Sequence, residues 1–183
     1  MLAVNQLDSN VRNAFPGGMA FPANFNAGTL LYRFSGWDII KIDKDTSKES
    51  VSPWWSETSD LLTTLLEAKK SGKSLWNFVR QQSAVLRGWN SLGYLVMIRI
   101  NRPFDGFKGL IARQNEATPF SDPTSSKYKV KYTKPVQFSG GGRQVYIPNL
   151  TRSDFSIEVP LEAIYIYDDI DEIIAFLKSY QLI

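Results

Sequence analysis

Apolar residues recur along the chain with two different periods, which predict helices in some stretches and strands in others. In residues 58–70 leucines return every three or four positions, which predicts a helix that Gly72 ends. Residues 74–87 repeat this pattern up to Gly88. Residues 170–177 repeat it after Asp168 and Asp169, either of which can cap a last helix.

Shorter runs rich in β-branched and aromatic residues predict strands. The predicted strands are residues 29–35, 94–100, 109–112, 127–132, 143–148, 155–159 and 163–167. Residues 1–28 predict an irregular, extended lead-in with a short helix near residues 7–15, and residues 43–50 and 114–126 predict polar loops. Because no repeat or linker divides the chain, we expect one α+β domain spanning residues 1–183, with helices inserted into a largely antiparallel sheet.

The residue types that are missing narrow the chemistry more than those present. The 183 residues contain neither cysteine nor histidine, which excludes disulfides, thiol catalysis, serine–histidine triads and histidine metal sites. Any catalysis must therefore use carboxylates, amides, hydroxyls, arginine or lysine, and no metal site is expected. The net charge of +3 permits an anionic ligand without indicating nucleic acid.

Neither a membrane span nor a signal peptide is expected. No apolar run approaches 18 residues, and the first residues lack a basic segment followed by an apolar one. We therefore expect a soluble domain, and the sequence does not indicate its compartment.

A glycine-rich loop before a strand is the first candidate site. Residues 140–148 read GGGRQVYIP, so three glycines precede Gln144 on a strand that Pro148 closes. Glycines let a backbone adopt positive φ and lie close to a ligand or another strand. The loop can present Gln144 as a reacting group, or it can be an ordinary hairpin turn with a surface glutamine.

Arg33 and a pair of tryptophans are further candidates. Arg33 lies inside an apolar strand, where a buried charge needs a partner or ligand, although it could also face solvent. Trp54 and Trp55 follow Pro53 and could plug the core or form a stacking wall for a flat ring.

Lysines alternate with tyrosines and a valine in residues 127–132, which predicts a strand with one basic face. That face could bind a partner, or its lysines could simply prevent edge-to-edge aggregation. With the tryptophan pair, it supports an alternative hypothesis, a non-enzymatic aromatic and basic binding module. The lysine row is too short to be a clear nucleic-acid signal.

Three stretches in order resemble a known superfamily. They are LYRF at residues 31–34, VSP at 51–53 and GGGRQVYIP at 140–148, with YLVMIRINRP at 94–103 and GLI at 109–111 between them. The chain is similar to the ADP-ribosyltransferase-like superfamily, and most similar to NAD⁺ glycohydrolases of the tuberculosis-necrotizing-toxin type and to bacterial ADP-ribosylating toxin domains. The similarity covers about half of the chain as scattered motifs.

This resemblance implies a split antiparallel β core with NAD⁺, the substrate, in the cleft between two small sheets. By position, Arg33 matches an arginine that holds the phosphates or the nicotinamide ribose, and Gln144 matches the late catalytic position. These two are the expected catalytic residues. The expected NAD⁺-binding residues are Arg33, Phe34, Ser52, Trp54, Gly141 and Gly142. The resemblance also implies a toxin or effector domain delivered by another module, with a cognate immunity or inhibitor protein.

The chain departs from the family pattern at the late motif. Gly-Arg-Gln stands at residues 142–144 in place of Glu-x-Glu, and a helical segment, residues 58–88, separates the VSP loop from the central strand. Gln144 favours water as the acceptor, whereas the inserted helices and the lysine-bearing strand favour transfer to a macromolecule. We expect hydrolysis, with ADP-ribosyl transfer as the alternative. Glu158, on the next predicted strand, is a spare carboxylate that could replace the missing one.

Overall fold

The computed structural model describes residues 4–36, 40–42, 49–85, 92–116, 136–159, 164–165 and 169–183. The helices are α1 (Ser9–Asn13), α2 (Leu61–Ser71), α3 (Leu75–Gln82) and α4 (Ile170–Ser179). The strands are β1 (Phe21–Phe25), β2 (Leu30–Ser35), β3 (Ile40–Ile42), β4 (Glu49–Val51), β5 (Trp54–Glu57), β6 (Tyr94–Ile100), β7 (Phe104–Leu110), β8 (Gln114–Glu116), β9 (Val136–Phe138), β10 (Arg143–Tyr146) and β11 (Phe155–Ile157). The protein is therefore α+β, as the sequence predicts.

Seven strands form one sheet in the order β1-β7-β10-β5-β2-β6-β11, and every neighbouring pair is antiparallel. Two short hairpins, β3–β4 and β8–β9, lie outside it. None of the helices in the described ranges has the length and apolarity needed to cross a membrane.

The short strand β5 joins two halves of the sheet. Its first two residues, Trp54 and Trp55, pair with β10, and its last two, Ser56 and Glu57, pair with β2. Beyond these pairs, the second half of β2 and the first half of β10 are not paired with β5, and they lie at opposite ends of it. A gap can therefore open between the two half-sheets, β1-β7-β10 and β2-β6-β11.

Helices α2, α3 and α4 pack on the β2–β6 half-sheet. They bury Leu65, Val79 and Leu177 against Leu95 and Met97, each 1% exposed or less. The side chains on the opposite face of β2 and β6 form a second cluster with Trp55 and Phe155. Helix α2 ends at Gly72, whose φ of 67° gives the left-handed cap that the sequence predicts.

Residues 4–28 are more regular than the sequence predicts. Residues 9–13 form α1 inside the predicted short helix, but Phe21–Phe25 is an edge strand that pairs with β7. The prediction of an extended, irregular segment was wrong here because Pro22 and the asparagines mask the strand pattern, and an edge strand tolerates proline. The preceding segment buries Phe15 against Phe107 and Trp54.

Other element boundaries also differ from prediction. The strand expected at residues 109–112 is the end of a longer strand that begins at Phe104, because Gly106 and Gly109 hide its pattern. Residues 49–50 and 114–116, predicted as parts of loops, belong to strands β4 and β8. The lysine row, Gly88, Asp168 and residues 117–126 lie outside the described residues.

Candidate functional site

A cavity of about 580 Å³ opens where the two half-sheets part. Residues of β2 and β10 that are not paired with β5 line it: Arg33 and Phe34 from β2, Arg143 and Gln144 from β10. This volume is within the range of roughly 300–1,000 Å³ that is common for small-molecule sites. The seven residues expected from the sequence to act on NAD⁺ all line it, namely Arg33, Phe34, Ser52, Trp54, Gly141, Gly142 and Gln144.

Arg33 is a half-buried cation without a counterion among the described residues. Its Nε and Nη1 atoms are buried and have no hydrogen-bond partner there. The guanidinium lies 5.6 Å from the centre of the Trp55 ring. Burial lowers the Arg33 pKa to about 10, so the group stays charged at neutral pH at a cost in free energy. An anion in the cavity would offset that cost.

The two tryptophans have different environments. Trp55 is 2% exposed, and its indole Nε1 donates to the carbonyl of Ser52 at 2.7 Å. Trp54 is half-buried between the rings of Phe15 and Tyr146, at 5.8 and 4.7 Å between centroids. Both indoles line the cavity, so the pair contributes to the core and to the cavity wall. Neither forms an open platform.

The Gln144 amide is oriented by the N-terminal segment. Its Nε2 donates to the carbonyl of Ala14 at 2.8 Å, and that carbonyl also accepts from the Ala112 amide at 2.8 Å. The Nε2 atom is therefore committed to the protein. The Oε1 atom is the part of this amide that can accept a hydrogen bond from a ligand.

The glycine loop packs tightly against other backbone segments. Gly140 and Gly141 have φ of 67° and 92°. The N–H groups of the three glycines donate to carbonyls of Gln81, Ile111 and Gln82, respectively, at 2.9–3.1 Å. The loop thus ties the end of α3 to the end of β7. Its N–H groups are not available to a phosphate, so only its Cα and carbonyl atoms could contact a ligand.

A polar face of α2 forms a wall of the cavity that the sequence reasoning missed. It carries Asp60, Thr63, Thr64 and Glu67, at the spacing i, i+3, i+4 and i+7. The Thr64 hydroxyl lies 3.3 Å from the Tyr32 hydroxyl and donates to the Asp60 carbonyl at 2.9 Å. Helix periodicity was used only to find the apolar face, but it also identifies this polar stripe.

Burial raises the pKa of Tyr32 above its ordinary value, and the charge of Asp60 adds to the effect. The Tyr32 hydroxyl therefore stays protonated over the physiological range and can donate or accept a hydrogen bond in the cavity.

Glu158, the spare carboxylate of the sequence analysis, does not line this cavity. It accepts from the Arg99 guanidinium at 3.0 Å and from the Ser156 hydroxyl at 3.0 Å. The hydrogen bond from Arg99 lowers the Glu158 pKa. This environment makes Glu158 part of a surface ion pair.

A second cavity, of about 410 Å³, adjoins the first. Asp60, Arg143 and Gln144 line both cavities, and Phe21 and Lys108 line only the second. In the described part of the chain, no group of three or more carboxylates is arranged to hold a metal ion.

Comparison with known proteins gives two distant structural likenesses. Rhs1-CT, solved in complex with its cognate immunity protein RhsI1, superposes with a TM-score of 0.41 at 16% identity, over 75% of this chain and 76% of that one. Tne2, solved in complex with Tni2, gives a TM-score of 0.38 at 10% identity, over 80% of this chain and 92% of that one. No protein-family model and no curated protein matches the chain. What the cavity does is therefore inferred from its own residues.

Proposed function

We propose that the protein cleaves the nicotinamide–ribose bond of NAD⁺ and transfers the ADP-ribose to water, on an ADP-ribosyltransferase-like fold. The observation that carries the proposal is Arg33, which lines a ligand-sized cavity and whose buried Nε and Nη1 atoms have no hydrogen-bond partner among the described residues. A pyrophosphate is a ligand that would offset the free-energy cost of burying these atoms, because a guanidinium and phosphate oxygens form paired, charge-assisted hydrogen bonds.

The rest of the cavity suits a dinucleotide. The indoles of Trp54 and Trp55 supply apolar wall for a flat ring. Gln144 Oε1 and the hydroxyls of Tyr32 and Thr64 are groups that can hydrogen-bond ribose hydroxyls. Expulsion of neutral nicotinamide needs no strong base, which agrees with a chain without histidine. The protein must hold the pyrophosphate and stabilise positive charge on the ribose.

The direct test is nicotinamide release from NAD⁺, followed by proton NMR with the parent protein and the Arg33→Gln variant. We expect release by the parent and a large loss in the variant, since the guanidinium holds the phosphates. Arg99→Gln is the matched control, because Arg99 pairs with Glu158 away from the cavity. A parent that neither binds NAD⁺ nor releases nicotinamide would refute the proposal.

Transfer of ADP-ribose to a macromolecule is the second candidate, and the second cavity favours it. That cavity shares Gln144 with the first and could receive a side chain of an acceptor. Labelled NAD⁺ incubated with the protein and a cell lysate would label an acceptor under this hypothesis and would yield only soluble ADP-ribose under hydrolysis. An effector role with an inhibitor protein that covers the cavity mouth belongs to the same proposal.

A further inference from the structure

We propose that Asp60 is a catalytic carboxylate of this site and supplies from α2 the negative charge that Gln144 lacks. This inference rests on the proposed cleavage of NAD⁺. Asp60 lines the main cavity together with Arg33 and Gln144, and it lies where the main and second cavities meet.

The Asp60 side chain is held in the cavity by Arg143 and does not bond to its own helix. Asp60 ends a 3₁₀ turn, Thr58–Asp60, that runs directly into α2, and its side chain makes no hydrogen bond to the first turn of α2. Its Oδ1 instead accepts from Arg143 Nη1 at 3.1 Å, and the side chain is 24% exposed. Among the described residues, Oδ2 has no hydrogen bond, so it can meet a ligand.

The position of Asp60 is fixed from several directions. The Arg143 guanidinium holds the carboxylate, while the Arg143 carbonyl accepts from Ser56 on β5 at 2.9 Å. The Asp60 carbonyl accepts from Thr64, whose hydroxyl contacts Tyr32. Such supports keep a reacting group in place with little reorganisation.

The charges in the cavity match the charge that cleavage creates. Arg33, a half-buried cation without a counterion in the described chain, suits the anionic pyrophosphate. Asp60 brings a carboxylate to the same cavity, where the ribose becomes positive. When the bond between ribose C1′ and the nicotinamide nitrogen breaks, its electron pair leaves with nicotinamide. Water then forms the new C–O bond at C1′, and its proton passes to the Asp60 carboxylate and on to solvent.

Asp60→Asn tests the inference because it keeps the shape and removes the charge. We expect nicotinamide release to fall roughly 10²-fold or more, with NAD⁺ affinity and melting temperature near those of the parent. Asp60→Glu should recover part of the loss, since it restores a carboxylate. Glu67→Gln is the matched control: it removes an exposed carboxylate from the same cavity wall and should cost less than about 10-fold.

Arg143→Gln separates catalysis from ion pairing. It breaks the pair but keeps the carboxylate, so its loss should be much smaller than that of Asp60→Asn. Equal losses in the two variants would mean that Asp60 acts only through the pair and would overturn the inference, as would parental turnover in Asp60→Asn. Failure of the proposed function looks different, because the parent itself would then release no nicotinamide.

Discussion

Arg33 is kept in the cavity at the expense of stability, and this cost can be measured. Replacing it with methionine removes a half-buried charge while keeping an apolar chain of similar length. Because burial lowers the Arg33 pKa to about 10, we expect Arg33→Met to raise the free energy of unfolding by about 1–3 kcal/mol without ligand. Urea denaturation of the two proteins checks this. A clearly destabilised variant would show that Arg33 has a structural partner.

Gln144 is an amide because its position needs a donor. Its Nε2 holds the Ala14 carbonyl, which a carboxylate would repel. We expect Gln144→Glu to be stable relative to the parent only at acid pH, where the new carboxyl is protonated and can donate. Its folded-state pKa would be raised above about 4.3, so relative stability falls as the pH rises through and above that value. Thermal melts from pH 3 to 7 measure the trend.

Gln144→Ala tests catalysis at the same position. The loss of the Oε1 acceptor should reduce nicotinamide release by roughly 10²–10³-fold if that atom bonds the ribose in the transition state. The N-terminal segment should stay in place, because the Ala14 carbonyl still accepts from the Ala112 amide. The control is Gln114→Ala, which removes another glutamine that lines the cavity. It should reduce nicotinamide release by less than about 10-fold. Parental turnover in Gln144→Ala would contradict the role.

At the scale of elements, two glycines with the same backbone conformation separate strain from crowding. Gly72 and Gly140 both have φ of 67°. A Cβ at Gly72 would meet nothing within 4 Å, whereas one at Gly140 would lie 2.5 Å from the Ile111 carbonyl oxygen. Gly72→Ala should therefore destabilise by about 1 kcal/mol, from strain alone. Gly140→Ala should cost clearly more and loosen the loop beside Gln144, and equal melting temperatures would contradict the tight packing described above.

The sequence predicted elements wherever one period dominates. Strand β6 matches its predicted range of residues 94–100, since seven mostly apolar residues run through the core. Helix α3 and strand β11 end earlier than predicted, because periodicity does not mark where a turn begins. Strands β1 and β7 were missed or shortened because proline, asparagine and glycine dilute the pattern, while pairing between the two strands overrides these weak preferences.

At the scale of the whole molecule, the candidate site is predictable only in part. The motifs identified Arg33 and Gln144, which are far apart in sequence and line one cavity. Asp60 was not identified because only the fold brings it beside Arg143, 83 residues away, and no local pattern reveals that contact. The hydrogen bond from Gln144 to the Ala14 carbonyl, 130 residues away in sequence, was not predicted for the same reason.

Ligand binding should stabilise the whole sheet, because the cavity walls belong to both halves. At NAD⁺ concentrations near 100 times Kd, we expect about 2.7 kcal/mol of added stability, which corresponds to a rise of roughly 5–10 °C in Tm. Arg33→Met should lose most of this rise. A thermal-shift titration measures it, with NADH as a comparison ligand of similar size. A rise of equal size in Arg33→Met would place binding elsewhere.

The division of the sheet also governs the order in which the chain can fold. The strand order interleaves the halves, so the chain crosses between them three times, after β1, β6 and β10. Neither half-sheet is formed by a continuous stretch of chain. The half-sheet β1-β7-β10 is complete only once Tyr146 has been made, and β2-β6-β11 only once Ile157 has been made. At a synthesis rate of about 5–20 residues per second, a nascent chain would remain without either completed half for roughly 7–30 s. Since Gln144 is part of the candidate site, the proposed cleavage of NAD⁺ could begin only after residue 144 of this domain had been made.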